Sequence, residues 1–320
     1  MVKAHGGQGQ APPVMRRRAF LKKGTAAAVA VGTGGALVGA LTGRTAQAQP
    51  TLPAAIRDPK PGEHQLIRMQ RELVRALGKP VERRSWTMVV DTRRCIGCDA
   101  CSVACMAENG LPPGVAYRTV LKMETGSFPH VEGVYKPTNC QQCDNPPCMK
   151  AANAIIPAAI AKRPDGIVTV DYAKFGRKAF GAAQKVCPYK ALSFDEGKYW
   201  TDGTPALQAY ETRPHVEYGR SWTRMVGALP IGSGRKCHFC LQRIEAGLLP
   251  ACVSSCIGGA TAFGDANDRG SLVSELVGRD KPMRINEGMG TKPRVYYIGA
   301  VGRATISVPS TESCKACHGQ

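Results

Sequence analysis

Of the 14 cysteines in this 320-residue chain, 12 stand at spacings suited to metal ligation. Cys95, Cys98, Cys101 and Cys105 form a C-x2-C-x2-C-x3-C run, in which three thiolates hold one [4Fe-4S] cube and the fourth ligates another. Such a run needs a partner, and Cys237, Cys240, Cys252 and Cys256 supply one. Exchange of the fourth ligands predicts one cube on Cys95, Cys98, Cys101 and Cys256, and a second on Cys237, Cys240, Cys252 and Cys105.

The middle of the chain carries a reduced version of this pattern. Cys140, Cys143 and Cys148 make a third block, but Ala152-Asn153 stands where its fourth cysteine and proline belong. Downstream, the segment 170–174 reads like the approach to a fourth block and Cys187-Pro188-Tyr189 like its end. Neither register between them holds a thiol: Phe175, Lys178 and Gly181 stand at one set of positions, Arg177, Phe180 and Ala183 at the other. Under ligand exchange the missing thiolates all belong to one cube. The remaining Cys140, Cys143, Cys148 and Cys187 are a full set for a third cube, so three are expected. Four-cysteine sets also bind structural zinc, and exported cysteines pair as disulfides. Neither alternative gives a reason for the coordinated loss at Ala152 and in the fourth block.

With these motifs in place, the chain resembles the iron–sulfur electron-transfer subunits of the dimethyl-sulfoxide reductase superfamily and of related periplasmic sulfur-metabolism membrane complexes. The resemblance runs from Trp86 to Ile298 and rests on Cys95-Ile96-Gly97-Cys98, Asn139-Cys140-Gln141-Gln142-Cys143, Pro146-Pro147-Cys148, Cys187-Pro188-Tyr189 and the closing 291–298. It implies a non-catalytic electron carrier that works with an integral membrane quinone-interacting subunit and with a molybdopterin oxidoreductase or a multihaem cytochrome c subunit. The family ordinarily carries four cubes in two ferredoxin-like halves, and the loss of one here tilts the expectation toward the cytochrome partner.

Two features lie outside that resemblance. Arg17-Arg18-Ala19-Phe20-Leu21-Lys22, a Gly/Ala-rich stretch from Gly24 to Gly43 and Ala46-Gln47-Ala48 read as a twin-arginine signal cleaved before Gln49. That route exports proteins already folded around their cofactors and predicts a periplasmic protein, peripheral to the inner membrane through its partners. At the other end, Cys314, Cys317 and His318 form CxxCH, the attachment motif of haem c. Met283, Met289 and His215 are candidate distal ligands, and a dithiol or adventitious metal tail is the alternative. A rival function follows from the dithiol reading: an exported redox enzyme using Cys314 and Cys317, with structural cubes.

Removing the seven basic residues of 1–48 lowers the formal charge from +19 to +12. Export makes nucleic acid an unsuitable partner for this excess, and aromatics at 6% are sparse for base stacking. Arg93, Arg94, Lys136, Arg235 and Lys236 sit beside ligands, either raising cluster potentials or lying on solvated surface. The expected fold is α+β, with tandem ferredoxin-like domains, long loop insertions and metal ligation in place of a large core. The boundaries read as signal 1–48, helical extension 49–85, polyferredoxin body 86–299 and tail 300–320. Within the body, 86–135 pairs with 235–264, 136–195 forms the middle block and 198–234 is a loop insert. Strands are expected at 86–90, 166–170, 191–194 and 294–298, with helices at 99–108, 178–186 and 241–246. A further helix at 63–77 has an apolar stripe that docks on the body or on a partner.

Overall fold

The structure, a computed structural model, describes residues 62–127 and 129–299. The signal, the residues before Gly62 and the CxxCH tail lie outside them. In chain order the main elements are α1 (Gln65–Leu77), β1 (Trp86–Asp91), α2 (Ala100–Glu108), β2 (Arg118–Ser127), β3 (His130–Asn139), α3 (Pro147–Ile155), β4 (Ile160–Lys162), β5 (Val168–Val170), α4 (Arg177–Val186), β6 (Ser193–Phe194), β7 (His215–Glu217), β8 (Arg220–Trp222), β9 (Gly234–Arg235), α5 (Leu241–Glu245), α6 (Ala251–Ser254), β10 (Thr261–Asp265), α7 (Leu272–Asp280) and β11 (Val295–Ile298). Short helices and small sheets of this kind are an α+β arrangement.

β1 joins the ends of the body. It pairs antiparallel with β10, Met88 opposite Phe263, and parallel with β11, Met88 opposite Val295. Its central position explains why Trp86, Met88, Val89 and Val90 are all buried, with little of the alternation of a one-sided strand. Trp86 stacks on Phe263 at 5.4 Å, and Phe263 meets Phe239 edge-on at 5.3 Å. The cysteine loops therefore rest on a substantial apolar core, which corrects the expectation that ligation stands in for one. A second apolar cluster surrounds α3, β4, β5 and α4.

α1 begins at Gln65, where the His64 imidazole accepts the Leu66 amide. Its stripe faces inward: Met69, Leu73 and Ala76 are fully buried, and the helix packs on β10 and α7. Burial of side chains the size of Met69 and Leu73 stabilises by about 1.5–3 kcal/mol each. Glu72 fixes the docking, accepting from Arg68 Nε at 2.8 Å and from the Leu272 amide at 2.9 Å. Among the described residues, no helix is long and apolar enough to cross a membrane.

The segment 198–234 is more than a loop. It forms the β7–β8 ribbon and places Glu217 and Arg224 inside the protein. Spacing concealed this, because strands of three residues give no usable period and buried ions break the apolar pattern.

Candidate metal centres

The three CxxC loops share a backbone device. Each turns left-handed at the residue before its second cysteine: Gly97 (φ +69°), Gln142 (φ +49°) and Phe239 (φ +57°). At Gly97 a side chain is excluded, since a Cβ would lie 2.6 Å from the Tyr135 ring. The other two positions carry side chains in a strained region, a feature that collects at functional sites. Gln142 is held there by its own amide, which donates to the Cys237 carbonyl at 2.7 Å and accepts from the Val168 amide at 2.8 Å. That side chain ties the middle loop to the late one.

These turns and the short helices gather cysteines from distant segments. Cys95, Cys98, Cys101 and Cys256 line one pocket, here called set A. Cys140, Cys143, Cys148 and Cys187 line another, set C. Cys105, Cys237, Cys240 and Cys252 face one another in the interior as set B, where burial pushes the Cys237 thiol up to about 12 and raises Cys105 and Cys240 as well. Other thiols of the set add to each rise: Cys240, Cys252 and Cys237 at Cys105, Cys252 at Cys237, and Cys252 and Cys237 at Cys240. Four buried thiols that resist ionisation together fit a cationic core that deprotonates its ligands outright. No three Cys, His, Asp or Glu side chains among the described residues converge tightly enough to hold a single ion.

The sets have a spatial order. Burial is the main cause of the raised Cys252 thiol, but Cys101 of set A contributes, and Cys140 of set C contributes likewise at Cys237. Set B is the centre: α2 carries Cys101 of set A and Cys105 of set B, and Gln142, beside Cys143 of set C, donates to the Cys237 carbonyl. Two short helices span the A–B boundary: α2 carries Cys101 and Cys105, while Cys252 in α6 is followed one turn later by Cys256. Cys98 is exposed at the A end, and Ile96 and Ile257 beside it are exposed too.

Donors reach the sulfurs. Asn109 Nδ2 lies 3.5 Å from Cys105 Sγ and 3.8 Å from Cys240 Sγ, and the Ala260 amide donates to Cys256 Sγ at 3.2 Å. Asn109 stands four residues after Cys105 at the end of α2, which was the one available signal for its role.

Around the positions where thiols of a fourth cube would stand, the space holds apolar side chains. Ala152, Phe175, Ala179 and Ala183 are fully buried and Phe180 nearly so. Phe180 packs against Phe175 at 6.0 Å and Phe194 at 5.1 Å between centroids. Gly234 approaches so closely that a Cβ there would lie 2.4 Å from the Phe175 ring.

The cations singled out by position divide sharply. Arg93 and Arg94 are exposed, whereas Lys136, Arg235 and Lys236 are buried. Arg235 is enclosed by anions, 2.7 Å from Glu217 and 3.3 Å from Asp195, which also pairs with Arg224 at 2.7 Å. Burial would raise the Glu217 carboxyl, but Arg235, His215 and His238 hold it well below the usual range. His238 Nδ1 accepts the Leu241 amide at 3.0 Å, so its Nε2 is the atom that donates to Glu217 at 2.9 Å. The insert thus anchors the loop that opens with Cys237. His215 lies in this network, 3.4 Å from Glu217, and is unsuited to a distal haem ligand; Met283 and Met289 are exposed. Cys314, Cys317 and His318 lie outside the described residues.

Residues 131–202 and 230–266 match the family model of the 4Fe-4S dicluster domain, and eight of the twelve block cysteines fall within them. Those two segments are thereby similar to a 4Fe-4S cluster-binding domain. A selenate reductase subunit from Mesobacillus selenatarsenatis is 46% identical over 235 residues, covering 73% of this chain and 78% of the relative. A tetrathionate reductase subunit from Salmonella typhimurium is 34% identical, covering 68% and 73%, and the arsenate respiratory reductase iron-sulfur subunit ArrB of Shewanella sp. is 31% identical, covering 68% and 97%. The chain belongs to the iron–sulfur subunits of the dimethyl-sulfoxide reductase family, the electron-transfer and not the catalytic subunits of reductase complexes.

Proposed function

We propose that this protein is a periplasmic three-cube wire linking a membrane quinone-interacting subunit to a redox subunit on the periplasmic side. The carrying observation is that two pockets are each lined by four thiols from separated segments, set A closing with Cys256 and set C with Cys187. Cys95, Cys98, Cys101 and Cys256 would hold the first cube, Cys105, Cys237, Cys240 and Cys252 the second, and Cys140, Cys143, Cys148 and Cys187 the third. When bound, the cubes supply one-electron chemistry. The protein orients them, buries set B and leaves set A at the surface. The apolar filling around Phe175 and Phe180 supports three cubes over four. The two ferredoxin-like halves would be A with B, and C with the filled site.

The twin-arginine segment supports export, and the relatives favour an oxyanion-reducing molybdopterin subunit over a multihaem cytochrome as the partner. The tail would carry haem c on Cys314, Cys317 and His318. Mass spectrometry of the C-terminal peptide tests this; unmodified thiols, in cells making other c-type cytochromes, remove the haem. The wire itself is tested by Cys187→Ser in anaerobically purified protein, expected to hold about eight irons against about twelve in the parent, four per cube. The Cys140 cube should be the one lost. A parent count near sixteen, or an intact Cys140 cube in the variant, overturns the assignment.

A further inference from the structure

Lys136 is buried, but no carboxylate and no thiol among the described residues acts on it; three other buried cations lie close to the thiol sets, and they differ in what balances them. Arg235 is enclosed by Glu217 and Asp195. Arg118 and Lys236 have no carboxylate partner among the described residues. Arg118 opens β2 and is 3% exposed, donating to neutral groups: Asn139 Oδ1 at 2.9 Å, Thr261 Oγ1 at 2.8 Å and Met88 Sδ at 3.3 Å. Its buried Nε has no acceptor at hydrogen-bond distance. Lys236, fully buried, donates to the carbonyls of Val168 and Cys237, the latter at 2.8 Å.

Placement gives these charges a purpose. Thr261, which holds the guanidinium, lines the set A pocket, and Asn139 immediately precedes Cys140. β2, which Arg118 opens, packs on α2, the helix that carries Cys101 of set A and Cys105 of set B. Lys236 bridges sets B and C, since its ammonium donates to the carbonyl of Cys237 and to that of Val168, which lines the set C pocket.

Resting on the three-cube reading, we propose that Arg118 and Lys236 are the potential-setting residues of the wire: two uncompensated buried cations, one between sets A and B and the other between sets B and C. Each stabilises an added electron on both of its neighbours, because a positive charge in a low-dielectric interior favours the reduced, more anionic cube. Set B alone is flanked by both. The central cube is thereby kept from becoming the uphill step that deep burial of an anionic centre would impose.

Potentiometric titration followed by low-temperature electron paramagnetic resonance tests this on the purified, cluster-loaded protein. Arg118→Gln should lower the potentials of cubes A and B and leave C unmoved; Lys236→Gln should lower B and C and leave A unmoved. The expected size is at least a tenfold loss in the reduced-to-oxidised ratio at fixed potential, which is 59 mV for one electron. Arg118→Lys, which keeps the charge, should recover most of the loss, and Arg93→Gln on the surface should move none of the three. Iron and sulfide are counted first. A parent count away from about twelve irons removes the three-cube reading. A count near twelve, with potentials that stay put or fall equally at all three cubes, overturns the proposal alone. Either glutamine variant is decisive by itself, so failure of one to retain its cubes leaves the other as the test.

Discussion

Helices α2 and α6 pack around four thiols, Cys101, Cys105, Cys252 and Cys256, shared between two sets. Helices α3 and α4 pack around Ala152, Ala179 and Ala183, with Phe175 and Phe180 close by and Cys148 and Cys187 of set C at the edge of the cluster. On the proposed reading one pair of helices would be organised by ligation, and the other is organised mostly by side-chain volume. Apolar packing is bound permanently, whereas cluster ligation is conditional on a cofactor, so the two regions should respond differently to the same insult.

Removing iron anaerobically should separate them most. Amides of α2, α5 and α6 are expected to lose at least about a hundredfold in hydrogen-exchange protection, while those of α3, α4 and the β4–β5 pair keep most of theirs. Equal loss in both regions would show that the filled site depends on set C after all. Phe175→Ala cuts the other way: a fully buried phenyl removed from a packed site costs about 3–5 kcal/mol, read as a lower denaturant midpoint, with the spectra of cubes A and B unchanged.

Glu217 tests the polar tie between the regions, since it bonds Tyr117 at 2.8 Å, Tyr172 at 2.6 Å and Arg235. Its carboxyl is held well below the normal value, so the folded form binds fewer protons than the unfolded one. The stability it contributes is fully present above the unfolded carboxylate range, near pH 4.5, and is lost as pH falls from there toward the folded value. Glu217→Gln should cost on the order of 3 kcal/mol at neutral pH by leaving Arg235 under-compensated, and should flatten the acid side of the stability profile. An unchanged acid slope would assign that titration elsewhere. The mildest test is Gly234→Ala, where the added methyl presses on Phe175; a cost of about 1–3 kcal/mol in stability, with no change in iron content, is expected.

Thiol spacing made the gathering of the cysteines readable, since blocks far apart in sequence complete one another in number around each pocket. The strand positions around Val89, Val168 and Tyr297 were readable for a similar reason, being short apolar runs bounded by turns. The β2–β3 hairpin was not: Lys122, Glu124 and Thr138 give it a polar surface, while Arg118 and Lys136 turn inward where pattern says a charge should turn out. Arg118 follows Cys105 by thirteen residues with no motif between, and only three-dimensional proximity to two thiol sets reveals it. Asp195, Glu217 and Arg224 were hidden in the same way, since ions that satisfy one another across long stretches of chain leave no local period.

The sharing of α2 and α6 between sets A and B bears on how fast charge can move. Cys101 and Cys105 are one turn apart on a continuous helix, and a turn advances about 5.4 Å. The separation of the two centres is consequently gauged by the covalent backbone and not by any docking of mobile parts. A hop between them should be indifferent to solvent viscosity, like current through a soldered joint, leaving the loose connections, and therefore the rate that a cell can adjust, at the two ends where other proteins make contact.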